Sequence, residues 1–133
     1  MELSITAVMR NYLMALSASN YKQMMSLFAN DGKVHSPLYG AIRPSDFYTS
    51  LFEDTAQSVL TPIHFFENSD NHSGALYFKY HWTMENGNEV EFSCVDIFHF
   101  NPSYLITRLD IIYDTYHTRP KWDTMKVGNR SKQ

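Results

Sequence analysis

A single cysteine in 133 residues leaves no partner for an intrachain disulfide. Cys94 reads as a buried structural thiol, and the chain as one suited to a reducing cytoplasm. Charge of one sign is also scarce. The formal net charge of −3 provides no sustained basic surface, which argues against nucleic acid or an anionic membrane as partner. No apolar run approaches a membrane span of about 20 residues. The opening Met1-Glu-Leu-Ser-Ile-Thr has neither the basic stretch nor the apolar core of a secretion signal. Glycine-rich phosphate loops and nucleophile elbows are missing. The six histidines (His35, His64, His72, His81, His99 and His117) form no close pair of the kind that grips a metal on a helix. Neither a cofactor nor a metal is therefore expected.

Aromatic side chains, by contrast, are abundant: nine Tyr, nine Phe and two Trp. In a domain of 15.5 kDa that many rings either fill the core or line an internal pocket. The expected organisation is one domain over residues 1–119, followed by a basic, flexible tail over 120–133.

Periodicity changes once along the chain. Residues 3–18 repeat apolar side chains at helical spacing (Ile5, Val8, Met9, Tyr12, Leu13, Leu16). A shorter helix follows, capped by Asn20 and ended by Asn30-Asp31-Gly32. Lys33 to Ser36 predicts a short extended segment stopped by Pro37. Pro44-Ser45-Asp46 opens a third helix over 45–57. Alternation then takes over, predicting strands at 61–67, 75–84, 89–100 and 104–117, with Glu85-Asn-Gly-Asn88 as a hairpin turn. This order predicts an α+β fold, with three N-terminal helices packed on a curved, mostly antiparallel sheet that encloses a conical pocket.

The strand 89–100 contains an anomaly. Phe92, Cys94, Asp96, Phe98 and Phe100 share one face, so a carboxylate lies among phenylalanines. Such an acid must be paired, hydrogen-bonded or kept protonated by a raised pKa. A neutral acid can donate a hydrogen bond to a carbonyl or enolate oxygen. The alternative is a structural carboxylate satisfied by a tyrosine or a backbone amide.

With these residues in view, the chain resembles the ketosteroid isomerase and SnoaL-like branch of the nuclear transport factor 2-like superfamily, the cystatin-like α+β cone. Tyr12-Leu-Met-Ala-Leu, Leu27-Phe-Ala-Asn-Asp-Gly through Pro37, Cys94-Val-Asp-Ile-Phe-His-Phe100 and Leu105 through Tyr113 carry the resemblance. It implies that Tyr12 corresponds to the isomerases' oxyanion-hole tyrosine and Asp96 to their protonated aspartic acid. Tyr48 resembles a tyrosine that in some members hydrogen-bonds the first. Phe28, Phe52, Phe92, Phe98, Trp82 and Tyr113 are expected to line or support the pocket.

The departure lies at Ser36, where the isomerases carry the aspartate that shuttles the proton. A serine hydroxyl has no useful basicity near neutral pH without a partner base. His35 has a suitable intrinsic pKa, but an adjacent strand residue faces the other way unless a bulge turns it. Asp114 falls on the outward side of the last strand by parity, with Arg108 or Arg119 as expected partner. His81 and His99 are expected to meet across neighbouring strands at the interface of a homodimer formed through the outer sheet face. The function this reading implies is binding of a small apolar molecule bearing a carbonyl or phenol, with enolate-type isomerisation if another base replaces Ser36. The alternative is a non-catalytic binding or assembly module whose cone is filled by its own rings.

Overall fold

Two polar caps set the start of the chain. In the computed structural model, which describes residues 3–131, Ser4 caps α1 (Ile5–Ser17) by accepting from the Ala7 amide. Asn20 does the same for α2 (Tyr21–Ser26) through the Gln23 amide. Pro44 opens α3 (Pro44–Glu53), supplying a backbone angle already suited to a helix. Six strands follow the same chain order: β1 (Phe28–Ser36), β2 (Gly40–Ile42), β3 (Thr55–Asn68), β4 (Ser73–Met84), β5 (Glu89–Phe100) and β6 (Ile106–Ile112). They form one curled, unclosed sheet in the order β2-β1-β6-β5-β4-β3, antiparallel except where β1 runs parallel to β6. The fold is α+β, as the sequence predicts.

Helices α1 to α3 cover the concave face and bury Met9, Tyr12, Leu16, Phe47 and Tyr48 against Leu76, Phe78, Phe98 and Leu109 of the sheet. Gly74 permits the close approach of α1 to β4. A Cβ there would lie 2.6 Å from the Ile5 side chain. The edge strand β3 is largely exposed and bends at a bulge beside Pro62, a position where the missing amide weakens edge pairing.

The structure corrects several boundaries. The third helix stops at Glu53, not 57, and β3 starts immediately after Asp54. The last strand is Ile106–Ile112, shorter than 104–117, because the chain leaves the sheet through the Asp114 turn, where Asp114 accepts from the Tyr116 amide. Of the segment expected as a flexible tail, residues 120–131 lie in helix α4 (Thr118–Ser131), anchored by buried Met125 and by Lys126, whose ammonium lies 2.6 Å from Asp54, and 132–133 lie outside the described residues. His81 and His99 do not meet. The register sets His81 opposite Glu91 and His99 opposite Ser73, and His81 instead contacts Glu89 at 2.9 Å.

Candidate active site

Alternation along β5 places Asp96 on the concave face, between Leu76 of β4 and Ile111 of β6. It is 1% exposed. Its carboxyl accepts a hydrogen bond from the Cys94 thiol, with Sγ 3.2 Å from Oδ1. Burial pushes the Asp96 carboxyl up from the ordinary 3.8 to about 7, and the thiol's donation only partly opposes that. Burial and the neighbouring acid also hold the Cys94 thiol protonated, so it is a donor to Asp96 and no nucleophile.

Tyr12 reaches the same cavity from α1. Its hydroxyl lies 2.8 Å from that of Tyr48 on α3, and its ring meets Phe98 edge-on at 5.1 Å. Burial pushes both phenols well above their usual range, so both stay protonated. If Tyr48 donates to Tyr12, the Tyr12 proton is left for a second acceptor. No direct bond joins Tyr12 to Asp96 among those described. The two are separate groups lining one cavity, Tyr12 from α1 and Asp96 from β5.

Tyr12, Ser36, Trp82, Phe92, Asp96 and Tyr113 all line the cavity, whereas Tyr48, Phe28, Phe52 and Phe98 stand behind it. Phe28 and Phe52 pack on the Tyr48 ring at 5.7 and 5.6 Å. They support the site without touching its interior. Tyr80, Phe92 and Tyr113 stack in a row, with centroids 5.1 and 4.1 Å apart. These rings leave about 30 Å³ of free space. That accommodates about one or two waters, against several hundred Å³ for a typical small-molecule site.

The base position is occupied differently from an isomerase's. Ser36 Oγ accepts from the Leu38 and Tyr39 amides at 3.2 and 3.1 Å, so the hydroxyl organises the turn after β1. His35 is half-buried, alternates with buried Val34 and does not line the cavity. Its register partners are Ala41 and Asp110, and no bulge turns it inward. Asp110 pairs with Arg108 at 3.0 Å, and Arg119 bonds the Pro37 carbonyl in place of Asp114.

One polar group escaped the sequence reading. Asp54, 3% exposed, accepts from the Tyr39 hydroxyl at 2.6 Å and pairs with Lys126. Tyr39 lines the cavity. The sequence pattern predicts a third helix over 45–57, which places Asp54 inside it, and Lys126 falls in the segment expected as a flexible tail. Among the described residues no three His, Cys, Asp or Glu side chains group as metal ligands.

Residues 9–109 match the SnoaL-like domain family, and the chain belongs to it. A search of curated proteins gave no match. Solved structures share the fold at low identity. One is SalBIII, described as an epoxide hydrolase/cyclase-like enzyme in pyran ring formation in the polyether salinomycin. It is 15% identical, with a TM-score of 0.71, covering 83% of this chain and 90% of its own. Another is a protein from Catenulispora acidiphila with a ketosteroid isomerase-like fold, in complex with trimethylamine. It is 12% identical, with a TM-score of 0.71, covering 80% of this chain and 85% of its own. A third, a nuclear transport factor 2-like protein of unknown function from Burkholderia pseudomallei, is 17% identical, with a TM-score of 0.71, covering 85% and 93%. None of the described helices is long and apolar enough to cross a membrane.

Proposed function

We propose that the cone binds a small apolar molecule bearing a carbonyl or phenol, whose oxygen accepts hydrogen bonds from Tyr12 and from protonated Asp96. The observation that carries this reading is a buried acid with a raised pKa lining the same cavity as a buried tyrosine. Two neutral donors in a dry site stabilise charge that develops on an oxygen. A free volume of about 30 Å³ holds no ring, so binding requires the cavity to open, after which the two donors meet the oxygen and the aromatic walls the body of the ligand.

Such a site also favours enolate formation, but a base is needed to remove the α-proton. Ser36 is committed to its turn and His35 faces away, so the wild-type chain is a binder before it is a catalyst. In Ser36→Asp, one carboxylate oxygen can take over the two turn amides while the other faces the cavity. It would take the proton α to the carbonyl of a β,γ-unsaturated ketone, leaving an enolate held by Tyr12 and Asp96, and return that proton to the γ carbon. Isomerase activity measurable by absorbance of the conjugated product is expected in Ser36→Asp and not in wild type. No gain would count against a preserved oxyanion site.

A second reading is favoured by the free volume of about 30 Å³: the cone is a filled core and the protein a non-catalytic binding or assembly module. Under either reading a homodimer through the outer sheet face is supported by exposed Val59, Phe66 and Ile112 on that side.

A further inference from the structure

We propose that α4 acts as a lid by holding Tyr39, a lining residue of the cavity, in place, latched by the Lys126 to Asp54 ion pair. The inference rests on the cavity being the binding site, yet its test needs no ligand. Three observations support it.

First, α4 lies beyond residues 9–109, the part of the chain that matches the family. Second, its sequence is a poor helix on its own account. Thr118, Pro120, Asp123, Thr124, Val127, Gly128 and Asn129 are all weak formers. A helix of this composition depends on its docking contacts and comes away when they fail. Third, those contacts come from side chains that reach the rest of the fold at separate points. Arg119 Nη2 donates to the Pro37 carbonyl and Lys121 Nζ to the Glu89 carbonyl, while Lys126 pairs with Asp54.

The latch is joined to the cavity by one residue. Tyr39 lines the cavity, donates to Asp54, and meets Trp122 of α4 edge-on at 5.3 Å. Lys126 also lies 5.7 Å from the Tyr39 ring centre and 5.6 Å from that of Trp122. Release of Lys126 therefore loosens the side chain that narrows the cavity at this end. The small free volume is then the volume of the latched state.

Cys94, the chain's single cysteine, lines the cavity and is 1% exposed; burial is the main cause of its protonated state, so an opening that admits water both exposes the thiol and restores its thiolate, and its rate of modification reports that opening. The probe is methyl methanethiosulfonate, a small neutral thiol reagent, applied to wild type, Lys126→Gln and Asp54→Asn. Lys126 is partly exposed, so Lys126→Gln keeps the test valid should Asp54→Asn fail to fold. Labelling about tenfold faster in the folded variant, insensitive to low urea, is the expected result. Unchanged rates in Lys126→Gln, or rates that rise steeply with urea and so follow global unfolding, would overturn the lid. Fast labelling without any phenol binding would retain the lid and reject the ligand reading.

Discussion

Asp96→Asn becomes progressively more stable than wild type as the pH rises from 4 to 7, gaining about 4 kcal/mol across that range. The sign follows from the direction of the shift. Burial raises the folded-state carboxyl from 3.8 to about 7. Below pH 4 both states are protonated and Asp96 contributes nothing. Between 4 and 7 the unfolded chain releases the proton while the folded chain retains it, so wild-type stability falls. Above 7 both are ionised and the loss is complete. At about 1.36 kcal/mol for each tenfold change in proton affinity, the gap corresponds to about 4 kcal/mol. Asparagine keeps the size and an oxygen for the Cys94 thiol but cannot ionise. Urea unfolding at pH 4, 6 and 8 measures the difference, and other titrating groups cancel between the two proteins. A difference that stays flat with pH would mean that Asp96 is ionised in the fold and has a charged or strongly donating partner.

Phe98→Ala costs about 3–5 kcal/mol, in the range of large aromatic truncations in a close-packed core. Phe98 is fully buried, holds the Tyr12 ring edge-on and stacks on Phe100 at 6.0 Å. Its loss leaves a void beneath Tyr12 that neither α1 nor β6 can readily fill, since Met9 of α1 and Leu109 of β6, the cross-strand partner of Phe98, are already fully buried in the same core. Phe98→Leu should recover most of the stability, because it removes less volume. Urea midpoints at constant slope provide the comparison, and a cost below about 1 kcal/mol for Phe98→Ala would show that α1 is not tightly docked on β5.

Much of this arrangement is legible in the sequence because strand parity is a strict rule. The alternation from Phe92 to Phe100 places Asp96 inward and fixes its neighbours before any coordinates. Parity likewise turns Asp110 outward, where it meets Arg108. Helix α1 is legible through its repeating apolar stripe, and the family resemblance supplies the order of the pieces.

What stays hidden has physical reasons. Helix α4 is anchored by Trp122, Met125, one ion pair and two side-chain bonds to backbone carbonyls, and two apolar anchors in a polar, basic segment leave only a faint periodic mark. The end of α3 carries no glycine or proline, so nothing local announces that Asp54 closes the helix and turns inward. The cavity's size depends on how Tyr80, Phe92 and Tyr113 stack, a matter of rotamers and packing that composition does not set. Ser36 is the clearest instance. The sequence shows that the carboxylate is missing, but only the structure shows the hydroxyl tied to the turn.

The measurement that tests the account most directly is a titration with phenols of graded acidity at pH 6, below the Asp96 pKa of about 7. Ultraviolet absorbance reports how far each phenol is ionised when bound to wild type and to Asp96→Asn. Binding with ionisation shifted toward the phenolate, weakened in the variant, is the predicted result for two buried neutral donors. No binding across the series would contradict it, leaving Asp96 a structural acid in a filled core.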